Sequence, residues 1–130
     1  MNDSPESMGL LADRFFASVE AGDTAAIAEI YATDGIIWKS FDDAETTAAQ
    51  SLAYLGGAKN RLQDVRYRDI RREFFDGGRV QQHRFTCKRR GDGKAFDFPA
   101  CLVVHVRDNR FARIDEYYDS TQRKELIAQV

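Results

Sequence analysis

Three residues carry side chains suited to moving a proton: His83, Glu116 and Lys39. A buried carboxylate near an imidazole raises the imidazole's pKa and fixes its tautomer. Such a pair can take a proton from carbon or oxygen and return it elsewhere, a contribution of typically about 100- to 10,000-fold. An ammonium reaching the same place would stabilise a developing enolate or oxyanion. The chemistry expected of the set is proton transfer on an apolar carbonyl compound: isomerisation, cyclisation or dehydration. Glu116 or His83 would be the base and Lys39 the electrostatic stabiliser. Three structural assignments compete with this. His83 can be a hydrogen-bonded core residue, Glu116 can simply pair with Lys39 or an arginine, and Lys39 can point to solvent.

The elements that must hold these residues fall into two halves, helices first and strands second, an order that argues for an α+β domain. Ser4-Pro5 opens a helix on which Met8, Leu11, Phe15 and Val19 recur at helical spacing, and Gly22 ends it. Asp23 caps a second helix carrying Ile27 and Ile30, which Asp34-Gly35 breaks. The β-rich run 35–40 predicts a short strand. Asp42 to Ala44 is read as opening a third helix that stops at Gly56-Gly57. Four strands then follow as a meander: from Val65 towards Phe75, Val80 to Lys88, Ala95 to Val106, and Phe111 to Asp119. Asp76-Gly77-Gly78, Gly91-Asp92-Gly93 and Asp108-Asn109 are the turns. Ser120-Thr121 caps a last short helix ending near Ala128.

Turn positions fix which strand residues face together. A hairpin centred on Asp92 sets His83 beside Cys101, Phe85 beside Pro99, and Cys87 beside Asp97. A turn between Asp108 and Asn109 sets Cys101 beside Glu116, Pro99 beside Tyr118, and Val103 beside Ile114. One rung then reads His83, Cys101, Glu116, with its outer strands about 9.5 Å apart. Phe15, Phe85, Pro99, Cys101, Ile114 and Tyr118 are the expected substrate-binding wall. The opposite face of the long strand carries Phe98, Ala100, Leu102 and Val104, also apolar. A strand apolar on both faces is covered on both, so a homodimer through that outer face is expected.

Composition narrows the classes. The chain has 130 residues, 43% hydrophobic and 31% charged, with a formal net charge of −2. These values fit one globular domain and give no global field for nucleic acid or anionic membrane. The polar, acidic start is not read as a secretory signal, and no apolar run approaches the roughly 20 residues of a membrane helix. Cys87 and Cys101 make neither a disulfide framework nor a close-spaced zinc motif, and the expected setting is cytoplasmic with reduced thiols. By strand parity His83, Cys87, Cys101 and His105 share a face, but His83 and Cys87 lie about 13 Å apart along a strand, so no metal is expected. The arginines at 66, 68, 71 and 72, and Lys88-Arg89-Arg90, read as a solvated sheet edge and loop because acidic residues flank them.

The order of phrases carries a resemblance. Val19-Glu20-Ala21-Gly22-Asp23 leading to Tyr31-Ala32-Thr33-Asp34, then Gly93-Lys94-Ala95-Phe96, then Arg113-Ile114-Asp115-Glu116-Tyr117-Tyr118-Asp119, resemble the nuclear-transport-factor-2-like superfamily over nearly the whole chain. Within it the sequence is most similar to SnoaL-like proteins, with steroid Δ-isomerases and limonene-epoxide hydrolases as distant relatives. The resemblance implies a cystatin-like α+β cone with N-terminal helices packed in a curved antiparallel sheet, a small hydrophobic ligand, no cofactor, and dimers in many members. It also implies departures. The steroid-isomerase tyrosine, base and aspartic acid fall at Phe15, Lys39 and Pro99. The epoxide-hydrolase arginine and two aspartates fall at His83, Phe85 and Glu116. Only Glu116 keeps its chemistry, so neither reaction in its familiar form is expected. A non-catalytic binding or dimerisation module of the same fold is the alternative function.

Overall fold

A computed structural model describes residues 3–128. Helix α1 (Pro5–Ala21) starts where Ser4 and Ser7 cap each other reciprocally and ends at Gly22, whose left-handed φ of 72° suits glycine. Asp23 accepts from the Ala26 amide and starts α2 (Thr24–Ile30). Strand β1 (Tyr31–Lys39) follows at once. The helix break expected at Asp34-Gly35 thus comes at Tyr31, and the strand opens four residues before the expected Gly35, where a Cβ would stand 2.9 Å from the Ala32 carbonyl oxygen and 3.1 Å from that of Phe111.

The expected start and stop of the third helix are both corrected. Residues Ala44–Thr47 form β2, antiparallel to β1. Helix α3 (Ala48–Arg61) begins only where Thr47 and Gln50 make a capping box. It runs through Gly56-Gly57 to Arg61. Two interior glycines cost about 1 kcal/mol each, and the packing of Leu52 and Leu55 on the core outweighs them.

Strands β3 (Leu62–Phe75), β4 (Gly78–Arg89), β5 (Ala95–Arg107) and β6 (Arg110–Tyr118) form the meander, and α4 (Ser120–Ile127) follows behind an Asp119 cap. The six-stranded sheet has the order β2-β1-β6-β5-β4-β3. All neighbours are antiparallel except β1 and β6, which run parallel with Lys39 paired to Glu116. Helices α1 to α3 lie against one face, where Met8, Leu11, Ile27 and Ile30 meet Leu102, Val104, Phe111 and Ile114.

The strand registers differ from the expected ones by one residue on each side of β5. The last β4–β5 pair, Lys88 with Ala95, centres the turn between Gly91 and Asp92, so His83 pairs with Ala100 and Gln82 with Cys101. The Asp108-Asn109 turn is where the sequence placed it, with both residues at positive φ. A bulge between His105 and Val106 then adds one residue to β6, and Ala100 pairs with Tyr118 and Leu102 with Glu116. Between β4 and β6 the two shifts add to two residues, which sets His83 level with Tyr118 instead of Glu116 but keeps His83 and Glu116 on one face, while the strand between them is inverted. Phe98, Ala100, Leu102 and Val104 face the helices, while Pro99, Cys101 and Val103 lie on the convex face. The dimer surface expected on those first four residues is thus in the interior. Cys101 and His105 likewise face away from His83 and Cys87, and the mixed thiolate–imidazole set does not assemble. Among the described residues no group of three or more His, Cys, Asp or Glu could hold a metal ion. No described helix is long and apolar enough to cross a membrane.

Candidate active site

Between the helices and the concave face lies a cavity of about 330 Å³. Its size suits a small organic molecule, at the lower end of the usual range for ligand pockets. His83, Glu116 and Lys39 all line it, with Phe15, Phe85, Ile114 and Tyr118 in its wall. Pro99 and Cys101, expected there, are not; the inverted β5 puts Ala100 and Leu102 in their places.

The parallel β1–β6 pairing brings the carboxylate and the ammonium together. Glu116 and Lys39 are direct partners on adjacent strands and face the same side. Burial pushes the Glu116 pKa up, opposed by the nearby Lys39 and Arg123 charges. Burial pushes the Lys39 pKa down, opposed by Glu116. The Lys39 ammonium sits 4.2 Å from the centre of the Tyr54 ring, a position that favours its charge. Arg123, on α4, is buried beneath Tyr54 and donates to its hydroxyl. Its guanidinium also lies over the Phe41 and Tyr118 rings, at 5.2 and 5.8 Å from their centres. Two cations thus flank one carboxylate in a site walled by aromatic rings.

His83 belongs to a different network. Its Nδ1 is 2.9 Å from Nε2 of Gln81. Gln81 Oε1 accepts from Arg72 Nε at 2.8 Å, and Arg72 NH1 donates to Asp13 Oδ1 at 2.7 Å. The imidazole is clasped edge-on by Phe16 and Tyr67. Its pKa is lowered to about 4, first by burial, then by the Arg79 and Arg72 charges. The expected elevation by Glu116 does not occur. The two residues are separated by β5 and offset by two positions, on the order of 12 Å between backbones from strand spacings. They face one hollow from the same side of the sheet, too far apart to form a pair.

Five participants were not anticipated from the sequence. Tyr67 lines the cavity, and its inward direction was available in the alternation of Val65 and Tyr67 with Arg66 and Arg68. Gln81 and Arg79 share the parity of His83 on β4, but their polarity argued against an inward reading. Arg79 is fully buried, none of its three guanidinium nitrogens has a hydrogen-bond partner among the described residues, and burial lowers its pKa to about 10. Arg123 reaches the site only through the docking of α4, for which the sequence holds no signal. Arg72, read as part of a solvated edge, is turned inward. The bulge at Asp69-Ile70 changes the parity of β3 and leaves only 15% of its side chain exposed.

The curved sheet, its strand order and the cavity between sheet and helices define a domain of the nuclear-transport-factor-2-like, ketosteroid-isomerase-like fold. Solved structures agree on this. An NTF2-like protein from Burkholderia xenovorans superposes with a TM-score of 0.79 at 16% identity, covering 96% of this chain and 98% of that one. A candidate polyketide cyclase from Xanthomonas campestris gives 0.81 at 16% identity, covering 95% and 98%. A protein with a ketosteroid isomerase-like fold from Catenulispora acidiphila, in complex with trimethylamine, gives 0.77 at 14% identity, covering 92% and 90%. No curated protein matches the sequence. The profile of the SnoaL-like domain matches residues 12–114, and the chain belongs to that family.

Proposed function

We propose that this protein binds a small, largely apolar carbonyl compound in the cavity and moves a proton on it without a cofactor, as an isomerase, cyclase or dehydratase. Glu116 is the acid–base group and Lys39 stabilises the negative charge that develops on the substrate. The observation that carries this reading is the placement of Glu116. Its carboxylate borders the cavity with its pKa pushed up by burial, and a cation stands on the neighbouring strand. A carboxylate with a raised pKa is a stronger base than one in water, and Lys39 keeps the charged form accessible. Phe85, Ile114 and Tyr118 supply apolar contact area, and Phe15 closes the helix side.

The experiment is a comparison of Glu116→Gln with the unaltered protein on a panel of apolar ketones and enones, with ligand binding measured in parallel. A fall in turnover of about 100-fold or more, with binding retained, is the expected result for loss of one acid–base group. Turnover that survives the substitution would end the catalytic reading. Ligand binding with no turnover in either protein would favour the non-catalytic module.

The homodimer is part of the proposal with its surface moved. The convex face offers Pro99, Cys101 and Val103 on β5, and Trp38 edge-on to an exposed Tyr117 at 5.0 Å. A reducing, cytoplasmic setting is also proposed; the two cysteines are unpaired and lie on opposite faces of the sheet.

A further inference from the structure

We infer that Asp13, Arg72 and Gln81 are positioning residues that hold His83 as its neutral Nε2–H tautomer, so that His83 is a hydrogen-bond donor and the ligand end seated against it carries an acceptor such as a carbonyl oxygen. The proposal reverses the role that residue type alone assigns to His83, which is that of a base.

One chain of contacts fixes the proton on the ring. An arginine side chain has only donors. The Gln81 atom that receives Arg72 Nε is therefore the amide oxygen, and the other end of that amide is the NH₂ group. An NH₂ group 2.9 Å from His83 Nδ1 can only donate. Nδ1 must then hold its lone pair, and the single proton of the neutral ring is on Nε2. Arg72 cannot easily turn away, because Asp13 holds its NH1 at 2.7 Å. The ring cannot easily turn over either, with Phe16 and Tyr67 against it at centroid distances of 5.7 and 5.1 Å. His83 Nε2 has no protein partner among the described residues, and the residue lines the cavity.

The surrounding charges act in the same direction. Arg79 stands on the same strand two positions before Gln81, at the cavity wall and with no hydrogen-bond partner among the described residues. Arg72 and Tyr67 face His83 from β3. Asp13 and Glu20 come from α1, the first paired with Arg72 and the second accepting from the Tyr67 amide at 3.0 Å. Glu116 lines the same cavity from β6. The two cations that bear on the imidazole both oppose a second proton. A ligand spanning the cavity would then place an oxygen at His83 and its acidic C–H towards Glu116. This substrate orientation rests on the proposed role of Glu116; the tautomer does not.

The chain contains two histidines, His83 and His105. His105 lies on the convex face against Phe75, outside the site. A ¹⁵N-labelled His105→Gln protein therefore reports His83 alone in long-range proton–nitrogen correlation spectra. The expected pattern is a protonated Nε2 and an unprotonated Nδ1 at neutral pH, persisting below the ordinary imidazole pKa of about 6.5. An Nδ1–H ring, or one exchanging between forms and titrating near 6.5, overturns the proposal. In the same background Gln81→Glu keeps an acceptor for Arg72 but can only accept at Nδ1. It should invert the tautomer or make the ring cationic at neutral pH, and an unchanged pattern would show that Gln81 does not set it. The parent spectrum is decisive by itself should that variant not fold. For the ligand, α-tetralone should displace the Nε2–H resonance further than tetralin, which has the same carbon frame without the oxygen. Equal or absent displacement overturns the ligand assignment. Retained turnover in Glu116→Gln would remove the base and leave the tautomer result standing, so the two readings fail separately.

Discussion

Replacing Arg79 with methionine should make this protein more stable. The guanidinium is fully buried, and its Nε, NH1 and NH2 lack hydrogen-bond partners among the described residues. Its pKa falls from the ordinary arginine range to about 10, with burial the chief cause and the Arg72 charge next. Because the folded-state pKa is the lower one, the unfolded chain holds the proton more tightly. Folding therefore carries the full electrostatic penalty at any pH below about 10, and relief comes only in alkali. At about 1.4 kcal/mol per pKa unit the penalty is about 3 kcal/mol. One favourable contact is lost with it. The guanidinium carbon stands 5.1 Å from the centre of the Phe111 ring, a cation–π arrangement contributing about 1–2 kcal/mol. Methionine retains the unbranched stem and its apolar contact with the ring. The net expectation is a gain of about 1–2 kcal/mol; even paired buried charges are often replaced by apolar groups of similar volume at no cost or with benefit. Urea denaturation at neutral pH measures it directly, and a melting temperature higher by roughly 4–8 °C should accompany it. A loss of 1 kcal/mol or more would refute the reasoning, since it would mean that the folded protein satisfies this guanidinium.

Three further outcomes follow from the same geometry. Because the His83 pKa drops from 6.5 to about 4 on folding, its contribution is fully present above pH 6.5 and is lost as the pH falls towards 4. His83→Phe should flatten the acid limb of stability against pH by up to about 3 kcal/mol, and an unchanged limb would contradict the assignment. Lys39 opposes the upward shift of Glu116, so in Lys39→Met the rise of turnover with pH should move to higher pH and the maximal rate should fall; a limb that stays in place would separate the two residues. Tyr117, 47% exposed on the convex face, is the test of assembly: Tyr117→Arg should convert a dimer to a monomer in sedimentation, while a wild-type protein that sediments as a monomer would dispose of the interface.

Much of the scaffold was legible because local chemistry dictated it. Ser4, Gly22, Asp23 and the Asp108-Asn109 turn do in the fold what their types predict. The third helix was misread at both ends. Its capping box at Thr47 lay four residues past the acidic run, and its glycines are carried by packing against the sheet. The candidate site was legible in part. Alternation put His83 and Glu116 on one face, and two one-residue shifts preserved that result while moving Pro99 and Cys101 out of the cavity. The Glu116–Lys39 pairing stood among the alternatives read from the sequence, but the choice depends on β1 adding to β6 in parallel across most of the chain length.

By itself, the sequence determined the family, the α+β order, the turns, and that His83, Glu116 and Lys39 turn towards one hollow. These properties depend on residue type and on spacing within a single element, where physical chemistry acts over a few residues. Tertiary structure alone decided the partners: Lys39 rather than His83 beside Glu116, Gln81 rather than Glu116 on the imidazole, and Arg79 buried with neither. Partnership across strands turns on loop parity and bulges. A single inserted residue sends a side chain to the opposite face of a sheet, and nothing in the local sequence records which face it will meet.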